Sequence, residues 1–367
     1  MRRGLAMPPF MFLSRLIDTW LAARRVPPDL VADASMPDVP WPRLVTLSGV
    51  HLMTPALAAA LTAPAFAGAL PDDLRLYLTA MREAAADRNL RLCRQLEHVA
   101  ALLNTVDVVP VVMKGAIRLV DGLWPEMALR FMHDVDLLVP RDSMERCAQQ
   151  LQADGWCPFE HDGVAADHHV ALVHPLAEAR VELHAEPLAG GLARLLPAPR
   201  MLARARPAVV GTASIAVPAI EDQLVHLVAH GMLQHEFLSS GRFLLRDLVE
   251  HALLARCAAR NDLDRARERF ESVGQAQAWD VGVALAKRCL PSAWARPAVG
   301  GHMTSILVGR MLLQQRSPLL MQLIGPVGWA ASRLLGHEPG AMTAATEKTA
   351  LRQLSERLLL FRRKTRW

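Results

Sequence analysis

An apolar run broken twice by aspartate, Met132-His-Asp134-Val-Asp136-Leu-Leu-Val139, constrains this chain more than any other stretch of its sequence. Side chains alternate along a strand, so Asp134 and Asp136 leave one face, while Val135, Leu137 and Val139 leave the other and can bury against helices. Aspartate is a poor strand former, and two carboxylates held side by side repel unless a cation or a proton lies between them. A divalent metal resolves that repulsion, and Mg2+ favours oxygen ligands of this kind. The plainer alternative is an exposed edge strand with two solvated acids.

Arg180-Val-Glu182-Leu-His184 repeats the design, with Arg180, Glu182 and His184 on one face. A neighbouring strand that sets Glu182 beside the aspartates completes a three-carboxylate cage. Two metals roughly 3.5–4 Å apart in such a cage activate an attacking hydroxyl and hold a triphosphate. Taken alone, Glu182 reads as a partner of Arg180. Lys114-Gly115 ends an apolar stretch, where glycine lets the backbone approach a phosphate and lysine offers it a point charge. Arg130, at the entry to the aspartate strand, reaches phosphate oxygens in a bidentate way or is a solvated strand end.

The spacing predicts a long helix from Asp72 to Leu103, with Leu74, Leu78, Met81, Leu92, Leu96 and Val99 recurring mostly at three- and four-residue steps. Strands are expected over 106–113, 131–139, 170–174 and 180–184, a helix over 142–153, and a hairpin over 209–217 turning at Gly211. From Ile220 the helical period returns, and no later strand is expected. The fold class is therefore α+β: a small mixed sheet with helices, between an N-terminal helical region and a larger all-helical C-terminal region. The expected boundaries are 1–105, with its first forty Pro- and Arg-rich residues a loosely attached lead-in, then 106–218 for the α/β core and 219–367 for the C-terminal helices.

Lys114-Gly115, then Leu129-Arg130 ahead of Asp134-Val-Asp136-Leu-Leu-Val, then Val181-Glu182-Leu-His184, resembles the uncharacterised bacterial nucleotidyltransferase family of the nucleotidyltransferase 5 type. That family lies within the polymerase-β-like nucleotidyltransferase superfamily. The resemblance runs from about 45 to 290 and takes in His168-His169, Ile220-Glu221-Asp222, His226, His230 and Arg246-Asp247-Leu248. It implies Mg2+-dependent transfer of a nucleoside monophosphate from an NTP to an acceptor hydroxyl, with release of pyrophosphate. Asp134, Asp136 and Glu182 are then the metal ligands and catalytic residues, Glu182 helping to deprotonate the acceptor. Lys114, Gly115 and Arg130 bind the nucleotide. Many superfamily members carry Gly-Ser at the turn; this chain has Gly115-Ala116, and its spacing from Gly115 to Asp134 is longer than in minimal members.

Composition bears on the partner. A net charge of +5, from 41 basic and 36 acidic residues, suits a phosphate-bearing ligand but includes no Lys/Arg block. With aromatic residues at 5% as well, a nucleic acid is disfavoured against a small molecule, a peptide or a protein as acceptor. Five cysteines without a C-x-x-C pair point to reduced thiols and a cytoplasmic setting. Pro8-Pro9 interrupts an N-terminal run that otherwise resembles a signal peptide. No transmembrane segment is expected, and the oily stretch 317–332 offers at most peripheral membrane contact. His226 and His230, four apart on a helix, bind a metal or make core hydrogen bonds, and Arg246-Asp247 makes a helix–core contact or binds nucleotide. The rival to an enzyme is a non-catalytic nucleotide-binding or regulatory module on the same fold, favoured if the carboxylates face the core or are locked by arginine.

Overall fold

The alternation around Asp134 becomes the central strand of a mixed sheet. In the computed structural model, which describes residues 5–159, 169–294, 300–316 and 320, the strands are β1 (Val111–Met113), β2 (Asp134–Leu138), β3 (Cys157–Pro158), β4 (His169–Val173), β5 (Arg180–His184), β6 (Arg206–Val210) and β7 (Ala213–Val217). Their order is β3-β4-β5-β2-β1-β7-β6. The pairs β2–β5 and β1–β7 are parallel and the rest antiparallel. The β6–β7 hairpin turns at Gly211, whose φ of +56° is in the left-handed region that glycine enters without cost.

The helices are α1 (Pro9–Ala23), α2 (Pro28–Ala34), α3 (Trp41–Val50), α4 (Thr54–Leu61), α5 (Asp72–Asn104) and α6 (Met144–Ala153). After the sheet's middle strands come α7 (Ala198–Arg204), α8 (Ile220–Val228), α9 (Phe237–Ser240), α10 (Leu245–Cys257), α11 (Arg260–Ser272), α12 (Ala276–Cys289) and α13 (His302–Gln314). Among the described residues no helix is long and apolar enough to cross a membrane. Apart from residue 320, the stretch 317–332 lies outside the described residues.

α5 is the strut of the fold. Its 33 residues extend about 50 Å at 1.5 Å per residue, and Asp72 and Asp73 in its first turn complement the helix dipole. Leu92, Leu96, Val99 and Leu103 are fully buried against one face of the sheet, together with Val135, Leu137, Val181 and Leu183. At its C-terminal end the Asn104 amide accepts from Ser214 N (2.8 Å) and donates to Ser214 O (3.0 Å), fastening the helix to β7. The apolar residues of β2 and β5 thus spend their burial on α5 and α6, which leaves the acidic face for the opposite layer.

Residues 5–40 are not a loose lead-in. Phe12, Leu13, Leu16 and Ile17 of α1 are fully buried in a core that also holds Leu57 of α4, Leu245 of α10 and Leu285 of α12. Ser14 Oγ donates to Cys289 O (2.6 Å), and the Asp18 carboxylate accepts from Ser292 N (3.0 Å) and Ala293 N (2.8 Å). The prolines that make this stretch look irregular start helices instead: each of α1 to α4 has proline in its first two positions, where the missing N–H costs nothing. N- and C-terminal helices therefore share one apolar core over the acidic face of the sheet. Phe12→Ala is expected to lower stability by about 3–5 kcal/mol in urea unfolding; a lead-in would have lost almost nothing.

Candidate active site

The register of β2 against β5 builds the site. Asp134 pairs with Arg180, Asp136 with Glu182 and Leu138 with His184, so both strands turn their polar side chains to the same face. Asp136 is fully buried, Glu182 8% exposed and His184 5% exposed. One ligand atom from each of Asp136, Glu182 and His184 lies within 4.8 Å of the others, a grouping able to hold a metal ion. His184 Nε2 is 2.8 Å from Asp136 Oδ1 and 3.5 Å from Glu182 Oε2. Asp136 Oδ2 is buried with no hydrogen-bond partner among the described residues, a free lone pair of the kind an incoming cation takes up.

Cations from the protein stand among these carboxylates. Lys114 Nζ is 2.6 Å from Asp136 Oδ1. The residue holds φ at +48°, a conformation that non-glycine residues adopt at a cost of about 1–3 kcal/mol when the surroundings enforce it. Arg180 spans the other two acids, with Nη2 3.2 Å from Asp134 and Nε 2.8 Å from Glu182. Its side chain is one-third exposed, so this contact is an exchangeable one rather than a buried lock.

The pKa shifts follow from that arrangement. Burial, reinforced by repulsion from Asp136 and Glu182, pushes the Asp134 carboxyl up. Burial also opposes charge on Asp136, yet Lys114 and the His184 hydrogen bond hold its carboxyl well below the usual range. For His184 burial disfavours the cation, and the hydrogen bonds to Asp136 and Glu182 outweigh it, raising the imidazole.

The acidic face opens on a cavity of about 400 Å3 walled by Leu52, by α8 and by the first turns of α10. Gly115 and Arg130 line it as well, but each has a partner in the wall. A Cβ on Gly115 would sit 3.1 Å from both terminal nitrogens of Arg130 and from Met132 Cβ, so the missing side chain makes room for Arg130. Arg130 in turn pairs through Nε with Glu250, whose other neighbour is Arg118 Nε at 3.5 Å. Arg246 faces the cavity and pairs with Asp247 (2.8 Å). The main chain of α10 at this point is tied to the α3–α4 turn, Leu245 N donating to His51 Nδ1 (3.2 Å) and Arg246 N to His51 O (3.4 Å).

Five of the six residues singled out from the sequence, Lys114, Gly115, Arg130, Asp134 and Glu182, therefore line one cavity, and the sixth, Asp136, is buried beside Glu182 and Lys114. Sequence reasoning missed Glu250, which has no local signal because its partners lie 120 and more positions away. It noted His184 on the Glu182 face without giving it a role, although its i+2 spacing from Glu182 places it there. His168 lies outside the described residues, and so does the surrounding of the His169 side chain.

A family model described as uncharacterised nucleotidyltransferase matches residues 37–291. No curated protein and no solved structure matches the chain.

Burial opposes charge on Glu250, but Arg130 and Arg118 bring its carboxyl down to about 2. A carboxylate depressed by folding stabilises above its unfolded pKa, near 4.5, and that contribution is lost as pH falls toward the folded value. Glu250→Gln is expected to cost about 3–5 kcal/mol at pH 7, the range for breaking a buried pair. In chemical unfolding the gap from wild type should narrow between about pH 4.5 and 2. A gap that stayed constant with pH would mean the carboxylate is not held by these arginines.

Proposed function

We propose that this chain, which belongs to the uncharacterised nucleotidyltransferase family, transfers a nucleoside monophosphate from an NTP to an acceptor hydroxyl and releases pyrophosphate. The observation that carries this reading is the parallel β2–β5 register, which sets buried Asp136 beside Glu182 with Asp134 one step along, next to a cavity lined by Lys114, Asp134 and Glu182. Residues 106–218 form the catalytic core in this reading, and the C-terminal helices from residue 219 supply the far wall of the site.

Asp134, Asp136 and Glu182 would hold the divalent cation; their oxygens suit Mg2+, and the unpartnered Asp136 Oδ2 is ready to accept one. Bound there, Mg2+ supplies charge neutralisation and polarises the phosphate under attack. The residues of the chain do the rest. In this reading Lys114 exchanges its contact with Asp136 for one with the triphosphate, which offers it more negative charge. Glu182 takes the proton of the acceptor hydroxyl, whose oxygen forms a new bond to the α-phosphorus. The bond from the α-phosphorus to the bridging oxygen breaks, and pyrophosphate leaves with the electron pair. Arg130, fixed by Glu250, keeps the Lys114-Gly115 turn in place.

Arg180, across Asp134 and Glu182, is the observation that favours a second reading, a non-catalytic module in which arginine has replaced the metal. A titration of Mg2+ with each of the four NTPs, by calorimetry, separates the two. Catalysis predicts saturable, metal-dependent binding of an NTP that Asp134→Ala/Asp136→Ala abolishes. Lys114→Met should weaken it by about 10–100-fold, as loss of a charge-assisted hydrogen bond does. No metal-dependent binding of any NTP would favour the module.

A further inference from the structure

His184 stands on the acidic face without a task in the reaction above. It lies two residues beyond Glu182 on β5, so both side chains leave the same face of the strand. Its main chain is held from both sides: β4 pairs with it through His169, and its carbonyl accepts from Val139 N (3.0 Å). Asp136 lies across from Glu182 on the neighbouring strand. Two carboxylates and an imidazole thus form a triangle on adjacent, hydrogen-bonded strands, the rigid support that a coordination site needs.

The triangle has the dimensions of a metal's coordination shell. One atom from each side chain lies within 4.8 Å of the others, and His184 Nε2 is 2.8 Å from Asp136 Oδ1 and 3.5 Å from Glu182 Oε2. Donors about 2.1 Å from a common ion stand about 3.0 Å apart at octahedral angles and about 3.4 Å apart at tetrahedral ones. The two measured edges straddle those values. A hydrogen bond alone accounts for the shorter edge; the longer lies outside good hydrogen-bond range. Asp136 Oδ2 is buried without a hydrogen-bond partner among the described residues, so the carboxylate has an oxygen to give although Lys114 Nζ takes Oδ1 (2.6 Å).

Burial and the ring nitrogen decide the class of ion. Asp136 is fully buried, His184 5% exposed and Glu182 8% exposed. Mg2+ dehydrates reluctantly and keeps several waters, which so enclosed a place does not favour. Imidazole suits softer ions, and Zn2+ takes nitrogen and carboxylate ligands in a small shell. We infer that Asp136, Glu182 and His184 form a mixed nitrogen–oxygen site for a divalent first-row transition-metal ion. The inference rests on the reading above only for the premise that Asp136 and Glu182 hold a cation, and it moves that cation out of the class held by oxygen alone. On binding, the ring gives up its Nε2 proton to solvent, and Nε2 takes the ion in its place.

Mn2+ titrated into the nucleotide-free protein and followed by electron paramagnetic resonance tests this, because an imidazole nitrogen bound to Mn2+ modulates the electron spin echo and a carboxylate oxygen does not. Wild type is expected to bind Mn2+ with nitrogen modulation. His184→Gln, which can still hydrogen-bond both carboxylates, is expected to lose the modulation and to bind Mn2+ and Zn2+ at least about tenfold more weakly. Its Mg2+ affinity, read by competition, should stay within about threefold of wild type, which also shows the fold to be intact. Mn2+ bound by wild type without nitrogen modulation would overturn the His184 ligand and leave the carboxylate reading standing, with His184 a proton-bearing bridge between the acids. Modulation that persists in His184→Gln would place the ion on another histidine and overturn it equally. Failure of nucleotide-free wild type to bind Mn2+ or Zn2+ would overturn the site, and failure to bind Mg2+ with any NTP as well would remove the reading beneath it.

Discussion

Like charges held close together in a buried place govern this structure. The β2–β5 register sets Asp136 against Glu182 with almost no solvent around them, and carboxylates so placed need positive charge within reach. Lys114, Arg180 and His184 supply it. A turn residue in the left-handed region, an arginine lying across two acids and a histidine wedged beside a third group are each costly or unusual alone. Together they are what a buried acidic cluster requires.

The rest of the fold keeps that cluster in place. On the far side of the sheet, α5 and α6 bury the apolar half of β2 and β5, which fixes the register, since a slip by one residue would turn the acids into the core. On the near side, helices from both ends of the chain pack into one apolar body that closes over the acids and leaves a cavity. Glu250 and His51 connect the layers: one neutralises Arg130 behind the Lys114-Gly115 turn, the other ties the α3–α4 turn to the start of α10. The cavity thus has walls from sequence regions some two hundred residues apart.

That separation explains what was legible in the sequence. The alternation of Asp134 and Asp136 with apolar residues, the same alternation at Glu182, the helical period of α5 and the turn at Gly211 are all local patterns, and each stands where its spacing places it. The mixed α+β fold and the family follow from the same residues. The role of α1 was obscured because prolines at helix starts look the same as prolines in loops. Gly115 reads as a phosphate turn, yet its open side is filled by Arg130, a contact that only the folded chain discloses. Glu250 depends on a partner, Arg130, that no spacing announces.

The most direct test of the central claim is anomalous diffraction from crystals grown with Mn2+ and a non-hydrolysable NTP. The account predicts a metal peak bound to Asp136 and Glu182, with Lys114 moved from Asp136 onto the phosphates. Density showing Lys114 still on Asp136, Arg180 still across Asp134 and Glu182, and no metal between them would contradict it.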